Sequence, residues 1–175
     1  QRNGLRDETI FLLSVKSGLR SKEISLLSWK MVSKSDETID DYINLPNSSS
    51  KGNGGRIIPL HKDIKENLNL MLEEHRKLYG FDQNKSFIVR TERTPFTTSQ
   101  TIVNMFQKWY GKLGLLGCSS HSGRRTFITE TSKKISLVGG SLRDIQMMVG
   151  HQSLQTTQRY IEGDSESQRK VIDLI

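Results

Sequence analysis

The segment Gly150-His151-Gln152-Ser153-Leu154-Gln155-Thr156-Thr157-Gln158-Arg159-Tyr160 decides how this 175-residue chain folds and what it can do. Just before it, Ser141-Leu142-Arg143-Asp144 has the form of a capping box, and apolar residues carry a helix from there to Val149. Gly150 is the stop signal for that helix, because glycine enters the left-handed region without a steric penalty. His151 follows the stop directly, and Tyr160 comes nine residues later.

Upstream stands a second dense block, His121-Ser122-Gly123-Arg124-Arg125-Thr126-Phe127, with a helix expected after Arg124. Further back, the apolar stretch Ile10 to Val15 is followed by Ser17-Gly18-Leu19-Arg20, where Gly18 supplies a left-handed turn. A short helix is then expected from Ser21 to about Trp29. Between Thr38 and Leu60 the pattern becomes extended. Tyr42-Ile43-Asn44-Leu45 and Arg56-Ile57-Ile58-Pro59-Leu60 favour strands, and Ser48 to Gly55 connects them as a hairpin with Lys51 at its tip.

From His61 to Tyr79, Ile64, Leu68, Met71, Leu72, His75 and Leu78 recur at helical intervals, which makes His75 a packed core histidine. Another helix starts near Thr98 or Ser99 and carries Ile102, Met105, Phe106, Trp109 and Leu113 inward. With no repeat or linker, the pattern predicts one compact mixed α+β domain, mainly helical, with a small antiparallel sheet.

Composition bounds the function. Twenty-six Lys and Arg against 19 Asp and Glu give a net charge of +7. Residues 96 to 160 hold eight basic and two acidic residues, net +6, so the positive field is local. Such a field suits a polyanion, because basic side chains on phosphates release condensed counterions. The single Cys118 forms no internal bridge and no Cys/His cluster has zinc spacing, which suits a reducing cytosol. The longest apolar run is far short of a membrane span, and no secretory signal is seen. Gln1 in place of an initiator Met suggests a fragment of a longer protein.

Taken together, Ser17 to Arg20, Lys51-Gly52-Asn53-Gly54-Gly55-Arg56-Ile57-Ile58-Pro59-Leu60, the His121 block and the Gly150 to Tyr160 segment resemble the catalytic domain of tyrosine recombinases, the phage integrase family. Four blocks in the family's order span most of the chain. One departure is Gly123, where the family usually has a larger apolar residue; looser local packing is expected there. The resemblance implies a site-specific DNA recombinase that cuts and rejoins strands through a 3′-phosphotyrosine, with residues 1–175 as the C-terminal catalytic domain and the N-terminal DNA-binding domain absent. It further implies double-stranded DNA as partner, a homotetramer on two duplexes, a monomeric isolated domain, and residence on the nucleoid in the prokaryotic cytosol. The tail, residues 164–175, would dock on a neighbouring protomer, or equally pack on its own domain.

The chemistry of the residues agrees with these roles. Breaking a phosphodiester without a metal needs a nucleophile, positive charge around the non-bridging oxygens, and an acid for the leaving oxygen. Tyr160 is the nucleophile; free tyrosine has a pKa of about 10, so it needs a base or an electropositive site. Arg20 and Arg124 clamp the phosphate through planar guanidinium forks, although Arg20 taken alone would pair with Glu23, and Arg125 is left to packing or backbone contact. His121 acts as general base toward Tyr160 or holds the phosphate by a hydrogen bond, and His151 donates to a non-bridging oxygen. Lys51 is the general acid, preferred to Arg56 because an ammonium can give up its proton. No carboxylate cluster accompanies them, so neither a metal nor another cofactor is expected. A type IB topoisomerase and a non-enzymatic DNA-binding module are the alternatives.

Overall fold

The computed structural model describes residues 3–47, 55–160 and 172–173; Lys51 and nearly all of the 164–175 tail lie outside the described residues. Helix α1 (Gly4–Ser17) starts where the Asn3 side chain accepts a hydrogen bond from the Arg6 amide at 2.8 Å, and ends at Gly18 with φ 64°. Left-handed backbone is one reason for glycine there. The other is space, since a β-carbon on Gly18 would lie 2.6 Å from the Phe127 ring.

Helix α2 (Ser21–Ser25) is shorter than its pattern suggested. The chain leaves it to pair with the distant segment around Phe87, where the Trp29 amide donates to the Ser86 carbonyl and the Ile88 amide to the Leu27 carbonyl. A 3₁₀ turn covers Trp29–Met31. Strands β1 (Tyr42–Leu45) and β2 (Arg56–Pro59) then pair antiparallel, with Tyr42 opposite Pro59 and Leu45 opposite Arg56. Alternation turns Ile43, Leu45, Arg56 and Ile58 inward, so one charged residue enters a face otherwise made of apolar ones.

Helix α3 (Lys62–Arg76) buries Ile64, Leu68, Met71, Leu72 and His75, and helix α4 (Ser99–Lys112), capped by Thr98, buries Ile102, Phe106 and Tyr110. Trp109 packs edge-on against Phe106, as core packing requires. Two positions depart from the periodic reading. Leu78 and Leu113 lie beyond the last turns of their helices and are 37% and 71% exposed, because the stripe has no helix left to hold it against the core.

These elements form one apolar core. A second, smaller core belongs to α5 (Ser122–Lys134), α6 (Leu142–Val149) and α7 (Leu154–Gln158), where Ile128, Ile145 and Val149 are buried and Phe127 and Tyr160 pack on them. Helix α5 starts at Ser122, so Arg124 is inside the helix and not ahead of it. The Ser141–Asp144 capping box and the left-handed Gly150, φ 65°, bound α6 as the sequence implied.

The two cores meet where α1 crosses α5, and here Gly123 corrects an expectation. Instead of loosening the packing it makes close packing possible: a β-carbon would overlap the Ser14 hydroxyl and lie 3.0 Å from Val15 Cγ1. The missing side chain lets α1 and α5 approach and so brings Arg124 up to the end of α1.

In the larger core Trp29 Nε1 donates to His75 Nδ1 at 3.1 Å, with Phe81 against both rings. Burial, with the charge of Arg90, lowers His75 to about 4. Its folded pKa is below the unfolded value of about 6.5, so its stabilising effect is full above that value and is lost as pH falls toward 4. Urea midpoints measured between pH 7 and 4 should decline, and the decline should be shallower in His75→Gln.

Candidate active site

Arg20 lies in the break between α1 and α2, a position that the Gly18 turn creates. Its backbone amide donates to Glu23 Oε2 at 2.8 Å and its Nη1 to Oε1 at 3.0 Å. The helical ion pair anticipated for Arg20 taken singly is therefore present. It is also extended, because Arg56 Nη1 donates to the same Oε1 at 2.9 Å. Burial alone would raise the Glu23 carboxyl, but the hydrogen bond and charge of Arg56, followed by those of Arg20, hold it below the ordinary carboxylate range.

Arg56 also reaches across the site. Its Nε donates to the Met148 carbonyl at 2.8 Å, in the last turn of α6, and Gly150 lies so close that a β-carbon there would be 3.1 Å from the guanidinium. As a general acid Arg56 ranks behind Lys51, and its place in the site is structural. Strand alternation held the signal, since Arg56 and Ile58 are two residues apart and must share the inward face.

Arg124 is 5% exposed and joins two helix ends: Nη1 donates to the Gly18 carbonyl at 2.5 Å and Nη2 to the Val149 carbonyl at 2.6 Å. Carbonyls at helix C-termini carry partial negative charge, so a cation is favoured there. Burial comes first among the effects that push its pKa down to about 9, helped by Arg20 and Arg56 and opposed by Glu23 and Tyr160. It stays charged at neutral pH. Three guanidiniums thus share a site with one carboxylate, leaving a positive excess.

His151 follows Gly150 and stacks on Tyr160, with ring centroids 5.9 Å apart and planes inclined by 18°. Its Nδ1 lies 3.0 Å from the Thr157 hydroxyl. Burial and then Arg124, Arg20 and Arg56 push its pKa down to about 4. The ring is neutral at physiological pH and offers one N–H.

The structure therefore brings Arg20, Arg124, His151 and Tyr160 to one place, and adds Arg56 and Glu23. His121 lies at the start of α5, exposed, with no side-chain hydrogen bond among the described residues. Arg125 is exposed and so does not pack into the core. Lys51 lies outside the described residues. Among the described residues no group of three or more His, Cys, Asp and Glu side chains is arranged to hold a metal ion, and no helix is long and apolar enough to cross a membrane.

The family model described as the phage integrase family matches residues 1–167. The chain belongs to the phage integrase family. Among the members of this family, the tyrosine recombinase XerC of Chlamydia muridarum is 31% identical over 97% of this chain and 50% of its own length. The fold is that of a XerA recombinase crystal structure, TM-score 0.73 at 22% identity, covering 98% of this chain and 58% of that one. It is also that of the site-specific recombinase XerH in a pre-cleavage complex with its difH substrate, TM-score 0.72 at 19% identity, covering 96% and 46%. This integrase-family chain spans about half the length of the curated relatives it matches.

Because Arg56 ties β2, Glu23 and α6 together, Arg56→Gln should lower stability by about 3 kcal/mol in urea denaturation, as expected on removing one partner of a buried charge. Arg56→Lys should recover only part of that, since an ammonium lacks the planar fork.

Proposed function

We propose that residues 1–175 form the catalytic domain of a site-specific DNA recombinase that cleaves and rejoins strands through a phosphotyrosine. The observation that carries this is the stacking of Tyr160 on His151 beside a buried cluster of arginines with excess positive charge. A phosphodiester anion would relieve that excess, and Tyr160, stacked on His151, is the nucleophile.

The Tyr160 oxygen attacks the scissile phosphorus, forming a phosphotyrosyl bond to the 3′ side as the bond to the 5′ oxygen breaks. Arg20 and Arg124 hold the non-bridging oxygens and stabilise the charge that builds on them in the transition state. His151 donates to one of these oxygens through its single N–H. His121 takes the phenolic proton, or holds the phosphate, once DNA draws the exposed ring in. Lys51 Nζ gives a proton to the departing 5′ oxygen. Attack by a 5′ hydroxyl from a partner duplex reverses these transfers, so the bond energy is conserved and no cofactor enters the balance.

Double-stranded DNA is the partner in this scheme; XerH bound to its difH substrate and a lambda integrase dimer bound to a COC' core site share the fold and support the reading. Exchange between two duplexes calls for four protomers, and the cytosol of a prokaryote, on the nucleoid, is the fitting location.

A nicked suicide duplex carrying the protein's own crossover site should trap a covalent adduct that survives denaturant. No adduct with the wild type, or an adduct with Tyr160→Phe, would overturn the scheme. In a second experiment, Lys51→Ala should slow cleavage of an ordinary 5′-oxygen substrate at least about a hundredfold, the scale of general acid catalysis. A 5′-bridging sulfur, which leaves without a proton, should restore the rate; failure to restore it would place the acid elsewhere.

A further inference from the structure

The hydroxyl of Thr157 is completely buried, and among the described residues His151 Nδ1 is its only side-chain hydrogen-bond partner. This has a consequence for where the imidazole proton sits. A neutral histidine has one N–H, on Nδ1 or on Nε2, and the partner of one nitrogen selects the tautomer of the other. If Nδ1 carried the proton and donated to Thr157 Oγ1, the hydroxyl hydrogen would be buried without an acceptor. Leaving a buried donor unsatisfied is unfavourable, because its desolvation goes uncompensated. If Thr157 donates to Nδ1, every group is satisfied and the proton lies on Nε2.

We infer that Thr157 is a positioning residue that fixes His151 as its Nε2–H tautomer, ready to donate to a phosphate oxygen. Nε2 has no hydrogen-bond partner among the described residues, so its proton is free for a ligand. The ring sits in the fields of Arg20, Arg56 and Arg124, which attract the same anion. With the ring neutral, orientation of its one proton decides whether His151 helps to bind phosphate or presents a lone pair to it.

Placement of Thr157 adds a coupling. It lies in α7, one helical turn before Tyr160, so the helix that delivers the nucleophile also sets the tautomer of its stacked neighbour. A displaced α7 would release both groups together. The tautomer assignment stands on this hydrogen bond alone, while its catalytic meaning rests on the recombinase function proposed above.

Two measurements separate these. Long-range ¹H–¹⁵N correlation spectra of histidine-labelled protein without DNA should show His151 with a protonated Nε2 and an unprotonated Nδ1. Thr157→Val, close in size but without the hydroxyl, should give a mixture of tautomers, and Thr157→Ser should return the wild-type pattern. On the nicked suicide duplex, Thr157→Val should cleave about tenfold more slowly, the loss expected of one hydrogen bond, and Thr157→Ser should cleave at nearly the wild-type rate. An Nδ1–H tautomer in the wild type, an unaltered tautomer in Thr157→Val, or wild-type cleavage by Thr157→Val would overturn the inference. The expected spectra together with no cleavage by the wild type or any variant would support the tautomer assignment and overturn the recombinase function instead.

Discussion

Glu23 is a nearly fully buried carboxylate held between two guanidiniums, and the arrangement of the charged site depends on it. An isolated carboxylate would not remain ionised in such a place, because desolvation would raise its pKa until it took up a proton. Arg20 and Arg56 prevent this, and in doing so are fixed themselves. Arg56 passes the constraint to the end of α6 through the Met148 carbonyl. Arg124 closes the frame by bonding the Gly18 and Val149 carbonyls. Buried ion pairs of this kind give little net stability against apolar replacements; here they set the relative positions of α1, α2, β2 and α6.

The frame leaves more positive charge than one carboxylate neutralises. That excess, acting with burial, is what pushes Arg124 and His151 below their ordinary values. Without an anion the site works against itself electrostatically, while a phosphate would be drawn in by the same fields. Binding energy for an anion is thus prepared in the free protein, at the cost of some of its stability.

Much of the fold follows from local rules. The Ser141–Asp144 box, the Gly18 and Gly150 stops, the Thr98 cap and the inward stripe of α3 all appear where pattern and propensity put them. Departures occur where a distant segment competes. Helix α2 ends early because residues 27 to 29 pair with the chain near Phe87, and Leu78 and Leu113 are exposed because periodicity does not tell where a helix ends. The hairpin tip with Lys51 lies outside the described residues.

By itself the sequence determined the caps and glycine stops that bound several helices, the sheet, and a set of reactive residue types at spacings that mark the phage integrase family. These depend on neighbours a few residues away, or on the identity and order of motifs. Tertiary structure alone decided that Arg56 shares Glu23 with Arg20, that Gly123 is an approach surface for α1, that Thr157 is the partner of His151, and that His151 is neutral. Apart from the Thr157–His151 contact, whose partners are six residues apart, these depend on burial or charge supplied by segments far away in the chain, 33 residues in the case of Arg56 and Glu23. Desolvation and electrostatic fields are properties of the packed molecule, so no local pattern carries them.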